Sequence, residues 1–86
     1  MDTRTRIGWN LRRFRTSKKI TQEHVAVDAN VDRTAISGIE RSEYNPSVDL
    51  LDRLVAALGV DISELFAVPP QTAMPPDPLK AGRKPK

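Results

Sequence analysis

Four polar side chains near the middle of this 86-residue chain have the types and the spacing needed to hydrogen-bond to a nucleic-acid duplex. Arg33, Thr34, Ser37 and Arg41 recur at intervals that place them on neighbouring turns of one helix. An arginine can donate two hydrogen bonds to the O6 and N7 atoms of a guanine, and the methyl group of a threonine suits a thymine. The pattern therefore favours a helix that reads bases from its N-terminal end.

Two short helices and the turn between them must position these side chains. Thr21 is a good N-cap for the first helix, because its hydroxyl can accept a hydrogen bond from a backbone N–H. Asn30 stands where the turn needs a left-handed residue, which asparagine tolerates better than most. Asp32 can cap the second helix, whose inward face would carry Ala35, Ile36 and Ile39. A helix, a short turn and a second helix make the helix-turn-helix arrangement that reads DNA.

The sequence around this motif resembles a known family. The segments TQEHVA, VDRTAISGIER and NPSVDLLDRLVAALGVDISELF are similar to phage repressors and their bacterial relatives, the lambda-repressor-like or XRE family. The resemblance extends over about residues 7–66. Within the family, DRTAISGIER is most similar to the controller proteins of restriction–modification systems. The resemblance implies an all-α, lambda-repressor-like domain that binds DNA.

Hydrophobic periodicity predicts five helices, and hence an all-α bundle, within residues 1–67. The first helix should span about residues 5–18, and the fourth about residues 48–58 between a serine cap and a glycine terminator. A short fifth helix should begin after Asp61 and end near Phe66. The residues expected to face the core from the first and fourth helices are Ile7, Leu11, Phe14, Val48, Leu51, Leu54, Val55 and Leu58.

Residues 68–86 differ from the rest of the chain in composition. Six of the 7 prolines lie in residues 69–86, and the hydrophobic periodicity stops there. This composition predicts a disordered or polyproline-like tail. The tail ends in the basic sequence KAGRKPK, which could strengthen DNA binding through phosphates.

Charge is distributed unevenly along the chain, whose net charge is +3. Residues 1–24 contain seven Lys and Arg against two acidic residues, whereas residues 25–66 contain three against eight. The basic start should attract phosphate, and the acidic middle should repel it except around Arg33 and Arg41. This asymmetry would orient the protein on DNA.

The composition also narrows the functional classes. The chain has no Cys and a single histidine, His24, so disulfides and thiolate metal sites are excluded and His24 cannot build a zinc site alone. No apolar run approaches the roughly 20 residues of a membrane span, and the N-terminus lacks a signal-peptide core. No nucleophile, base and orienting group recur as a set. We therefore expect no enzyme, cofactor or small-molecule effector, and a cytoplasmic location, associated with the nucleoid when the protein is bound to DNA.

Contacts to bases and to phosphates are assigned separately, because phosphate contacts fix register and base contacts specify sequence. The recognition helix, about residues 33–41, should enter the major groove, with base contacts from Arg33, Thr34, Ala35 and Ser37. The resemblance implies that Gln22 donates to a phosphate at the start of the preceding helix, as the matching glutamine of the family does. The predicted phosphate contacts are Thr21, Gln22, Arg41, Tyr44 and Asn45. The resemblance also implies a salt bridge between Arg15 and Glu40.

A domain of this size contacts few base pairs, and a dimer doubles the interface. We therefore predict a sequence-specific transcriptional regulator that binds double-stranded DNA as a homodimer on a two-fold-related operator. If Leu65 points inward, Ile62 and Phe66 cannot both do so, and dimers of the resembling family commonly use this region. The predicted dimer interface is Leu50, exposed on the fourth helix, with Ile62 and Phe66.

Two other functions stay open on the sequence alone. An antitoxin with this fold would regulate its own operon and neutralise a partner toxin, with the tail as the candidate toxin-binding segment, and would co-purify with a second small protein. A protein-binding adaptor with the same fold is suggested by the acidic middle of the chain and by Gly38. Salt dependence separates an adaptor from a DNA-binding protein, because DNA binding weakens steeply as salt rises.

Overall fold

A computed structural model of the chain describes residues 1–69. Within that range there are five α-helices and no strands, which confirms the predicted all-α fold. The predicted tail, residues 68–86, lies outside the described residues except for Val68 and Pro69. The helices are α1 (Thr3–Ser17), α2 (Gln22–Ala29), α3 (Arg33–Glu40), α4 (Val48–Leu58) and α5 (Ile62–Leu65).

Each of the five helices starts at a side chain that accepts a hydrogen bond from a backbone N–H in the first turn. The helix α1 starts earlier than predicted, because Asp2 Oδ1 accepts from the Thr5 N–H at 2.9 Å. Hydrogen bonds donated by Thr5 and by Ser63 lower the pKa of the Asp2 and Asp61 carboxyls, respectively. The five caps are Asp2, Thr21, Asp32, Ser47 and Asp61.

Left-handed residues end four of these helices or follow directly after them. Asn30 (φ 57°) and Gly59 (φ 72°) adopt this conformation, as predicted from their residue types. Lys19 (φ 58°) and Ser42 (φ 63°) do so as well, after α1 and α3, where nothing in the residue type indicates it. The turn at Ser42 redirects the chain into the loop that precedes α4.

The core lies between the helices, and α4 contributes the row Leu50, Leu54 and Leu58 to it. Leu50 is only 6% exposed, so the prediction that it is exposed at a dimer interface is wrong. The reason is helical register, since residues four apart share one face. Val48, predicted to face inward, is 74% exposed because it lies at the first position of α4, about half a turn away from that row.

The helix α1 crosses α3 closely at Gly8, which is buried. A Cβ atom added at Gly8 would collide with the Ile39 carbonyl oxygen and lie 3.3 Å from Glu40 Cα. Glycine is therefore needed here for close approach rather than for an unusual backbone angle. This crossing fixes the C-terminal half of α3 against α1.

The helix α1 also holds the segment that follows α5. Asn10 is completely buried, and its Nδ2 donates to the carbonyl oxygens of Leu65 at 2.9 Å and Ala67 at 2.8 Å. Arg6 Nη1 donates to the Phe66 carbonyl oxygen at 3.1 Å. These bonds satisfy three carbonyl groups at a helix end that would otherwise lack partners. No pattern in the sequence distinguishes Asn10 or Arg6 from the other polar residues of α1.

Candidate nucleic-acid interface

The helices α2 and α3 pack together around the left-handed turn at Asn30, and α3 presents its first turn to solvent. Arg33 and Thr34 are exposed, while Ser37 is half-buried one turn further along. Ala35 is buried because it shares the inward stripe of α3 with Ile36 and Ile39. Ala35 therefore faces the core and not a base edge, contrary to the prediction.

A buried carboxylate, Glu40, joins three helices at the other end of α3. Arg15 Nε donates to Glu40 Oε2 at 2.6 Å, and Arg15 Nη2 donates to Oε1 at 2.9 Å. This bidentate geometry is typical of a planar guanidinium that faces a carboxylate. Arg15 Nη1 also donates to the Ile20 carbonyl oxygen at 2.9 Å, so both charged groups are well supplied with partners. The structure thus brings together the two residues that the resemblance paired.

Gln22, expected to contact a phosphate, also takes part in this cluster. Its Nε2 donates to Glu40 Oε1 at 3.0 Å. A side-chain amide has two N–H hydrogens, so one can serve Glu40 while the other stays available to an external acceptor. The neighbouring Thr21 is exposed, and its hydroxyl accepts from the His24 N–H while keeping its own hydrogen to donate.

The C-terminal end of α3 carries a second polar chain. Arg41 Nη1 donates to Ser37 Oγ, and Arg41 Nε donates to Glu43 Oε1 at 3.0 Å. Arg41 and Glu43 are both exposed, so their attraction is screened by solvent. A carboxylate therefore lies beside one of the predicted phosphate contacts and reduces the local positive charge.

Tyr44 and Asn45 are exposed in the loop that follows. The Tyr44 side chain packs on Gly38, and a Cβ atom added at Gly38 would lie 3.0 Å from Tyr44 Cβ. Gly38, in the middle of the recognition helix, thus allows Tyr44 to pack closely against that helix. The contact sets the starting position of the loop and of the two predicted phosphate donors on it.

Among residues 1–69, no three or more Asp, Glu or His side chains lie together in a way that could hold a metal ion. No helix in the described part of the chain is long and apolar enough to cross a membrane.

The model of the helix-turn-helix family matches residues 11–65. The chain belongs to the helix-turn-helix family. A hypothetical transcription factor from Neisseria meningitidis is 37% identical over 70 residues, which are 81% of this chain and 65% of that protein. The control protein C.MunI of a Mycoplasma species is 37% identical over 67 residues, 77% of this chain and 90% of that protein. The chain thus spans just under two thirds of the Neisseria protein and most of C.MunI.

A solved structure agrees with these relatives. The restriction–modification controller protein C.AhdI from Aeromonas hydrophila superposes with a TM-score of 0.71 at 35% identity, covering 73% of this chain and 96% of that one. The comparisons confirm the predicted helix-turn-helix fold and the predicted similarity to controller proteins of restriction–modification systems. Within this helix-turn-helix protein, the assignment of single residues to bases or phosphates stays a prediction.

Proposed function

We propose that this protein is a sequence-specific regulator that inserts α3 into the major groove of an operator. The observation that supports this most is the exposure of Arg33 and Thr34 on the first turn of α3, directly after the left-handed turn at Asn30. In helix-turn-helix proteins the N-terminal residues of the second helix are the ones that contact base edges. Arg33 would donate to a guanine, Thr34 would contact a thymine methyl, and Ser37 would reach a base or a phosphate.

Phosphate contacts on both sides of α3 would fix its register on the duplex. Thr21 and Gln22 supply donors at the start of α2, where backbone N–H groups and the helix dipole favour an anion. Arg41, Tyr44 and Asn45 supply donors beyond the C-terminal end of α3. Because the buried Arg15–Glu40 pair also binds Gln22, the first set of donors is held in a fixed position relative to the reading helix.

The operator would be bound by a homodimer formed through α5. Phe66 is 39% exposed at the end of α5, and Ile62 is only partly buried where it packs on the core. Both residues are apolar, and they lie on the side of the bundle that Arg6 and Asn10 hold in place. A two-fold axis through this region would set two α3 helices about one DNA turn, roughly 34 Å, apart.

The biological role is inferred from the relatives of this protein. Relatives named as a transcription factor and as control proteins support a regulatory protein that is not an enzyme. The control proteins support, more specifically, a controller of a restriction–modification system. The protein concentration would set how much of the operator is occupied, and regulation would need no small-molecule effector. The protein would act in the cytoplasm, where the operator lies.

Selection of bound fragments from a pool of random duplex DNA tests the proposal. The expected product is a two-fold-related sequence whose half-sites lie one helical turn apart, with a guanine at one position in each half. Enrichment of a single unrepeated half-site would contradict the dimer. A pool that stays random would contradict sequence-specific binding.

A further inference from the structure

Arg12 lies at the edge of the cluster that joins α1, α2 and α3, and it is held there only weakly. Its Nε lies 3.5 Å from Glu40 Oε1, at the outer limit for a hydrogen bond. The same oxygen accepts from Arg15 Nη2 at 2.9 Å and from Gln22 Nε2 at 3.0 Å. A carboxylate oxygen has two lone pairs, and the two shorter bonds already occupy them. Arg12 is therefore a third donor to an oxygen that needs no more.

The charges in the cluster do not balance. Two arginines, Arg12 and Arg15, face one carboxylate, which leaves one positive charge in excess. Among residues 1–69, no second carboxylate lies within salt-bridge distance of Arg12. Arg15 is buried, whereas the Arg12 side chain is 30% exposed. An external anion could therefore approach the excess charge only through Arg12.

Gln22 determines where such an anion would sit. Arg12 Nε lies 3.5 Å and Gln22 Nε2 3.0 Å from the same oxygen, Glu40 Oε1, so the two nitrogen atoms are no more than 6.5 Å apart. The second hydrogen of the Gln22 amide and the remaining N–H groups of Arg12 are available to a group on the solvent side. A phosphodiester has one negative charge and two non-bridging oxygens that can accept hydrogen bonds from these donors.

We propose that Arg12 binds a DNA backbone phosphate together with Gln22, moving from its long contact with Glu40 to the phosphate when the duplex arrives. The inference rests on the proposed function, because the phosphate belongs to the bound operator. It adds to the phosphate contacts a residue of α1 that the sequence analysis did not assign. Glu40 then serves as the rest position of Arg12 in the free protein and orients the Gln22 amide in both states.

The test compares the variants Arg12→Gln and Arg12→Lys with the parent protein and with Arg53→Gln. Arg53 is exposed on α4, so its variant removes the same charge from a different surface. Affinity is measured on a duplex selected by the parent and on a scrambled duplex of equal length, over a series of salt concentrations. The thermal unfolding midpoint of each variant is recorded as well.

Arg12→Gln should weaken binding to both duplexes by about fivefold for each protomer, as expected of one partly exposed charge pair. The slope of log affinity against log salt should become shallower by about 0.9 for each protomer, which corresponds to one phosphate contact fewer. Arg12→Lys should keep the parent slope, because it keeps the charge. The thermal midpoint should change little, since only a long contact is lost.

Several results would overturn the inference. An unchanged salt slope in Arg12→Gln would mean that no phosphate contact was removed. An equal change in Arg53→Gln would mean a general effect of net charge, and a loss confined to the selected duplex would mean base reading. If Arg12→Gln unfolds, Arg12→Met repeats the measurement, because it removes the charge and keeps most of the apolar stem, and an unchanged slope in that folded variant would contradict the proposal. If the parent itself binds neither duplex, the proposed function fails as a whole, whereas normal parent binding with an unaffected Arg12→Gln removes this inference alone.

Discussion

Arg33 and Gln22 lie at the starts of two successive helices, and their surroundings predict different contributions to DNA binding. Arg33 is exposed, so Arg33→Ala should leave stability unchanged. It should weaken binding to the selected duplex by about 1–3 kcal/mol and relax the preference at one base pair in each half-site. Gln22→Ala should weaken binding to selected and scrambled duplexes alike. Titration of both variants against both duplexes measures the difference, and equal losses on the two duplexes for Arg33→Ala would contradict base reading.

Replacement of Glu43 by a neutral residue should increase the affinity for DNA. Its carboxylate accepts from Arg41 Nε at 3.0 Å, beside the loop that carries Tyr44 and Asn45. Glu43→Gln removes a negative charge from a surface proposed to face phosphates and leaves Arg41 with its full charge. Affinity for selected and scrambled duplexes should rise by up to about fivefold, since an exposed pair is worth at most about 1 kcal/mol. Fluorescence anisotropy at several salt concentrations measures the change.

Asp52→Asn provides the control for Glu43→Gln. Asp52 is exposed on α4, so the variant makes the same change in net charge away from the proposed interface. A gain of equal size in Asp52→Asn would show that net charge alone is responsible. A loss of affinity in Glu43→Gln would show that Glu43 holds Arg41 in the orientation that binding needs.

At the scale of helices, the crossing of α1 and α3 should be the contact least tolerant of substitution. Gly8→Ala places a Cβ atom against the backbone of Ile39, which cannot move without shifting α3. We expect a loss of about 1–3 kcal/mol in the free energy of unfolding, as for other overpacked sites. Urea unfolding followed by circular dichroism measures it.

Gly38→Ala is the matched comparison, because it makes the same change in a helical glycine. Its new Cβ would lie 3.0 Å from Tyr44 Cβ, so the loop would have to move by a few tenths of an ångström, whereas the obstacle at Gly8 is the backbone of a packed helix. A helical alanine is favoured over glycine by about 1 kcal/mol, which should compensate for the shift. Equal losses in the two variants would mean that the crossing at Gly8 is not special.

The helix ends were predictable because capping is local. Thr21, Asp32 and Asp61 cap α2, α3 and α5 through side chains whose hydrogen-bonding preference is a property of the residue itself. The turn at Ser42 was not predictable, since serine has no strong preference for a left-handed backbone. Leu50 was misassigned because apolar residues cover more than one face of α4, and the sequence alone does not show which face is covered.

The sequence predicted those parts of the candidate site that lie on a single helix, but not the contacts between helices. Exposure of Arg33 follows from its place in the first turn of α3. The pairing of Arg15 with Glu40 came from the family resemblance, and no local rule would have found it. The bond from Gln22 to Glu40 and the long contact from Arg12 depend on how three helices meet. Such contacts between distant residues leave no periodic signal in the sequence.

At the scale of the whole molecule, α1 links the proposed reading surface to the proposed dimer surface. Arg15 binds Glu40 at the end of α3, and Asn10 binds the carbonyl groups that follow α5, with both residues buried in the same helix. The distance between α3 and the end of α5 is therefore set by a single rigid element. In a dimer, this would fix the spacing of the two half-sites within narrow limits.

The dimer itself is tested most cleanly at Phe66. Ile62 packs on the core, so its replacement would confuse folding with association, whereas Phe66 is 39% exposed. Phe66→Lys should give a helical monomer, because a two-fold interface brings two copies of any introduced charge close together. Operator binding should weaken strongly while binding to a scrambled duplex changes little. Analytical ultracentrifugation and circular dichroism measure association and folding on the same sample.

Val27→Lys separates a specific interface from a general effect of surface charge. Val27 is an apolar residue of α2 that is 72% exposed, so the variant adds the same charge at a comparably apolar surface position outside α5. It should remain a dimer if the interface is formed by α5. A Phe66→Lys protein that stays dimeric would place the interface on another face of the bundle. A Phe66→Lys protein that loses its helices would show instead that Phe66 closes the core of the monomer, because an exposed interface residue has no role in folding of the single chain.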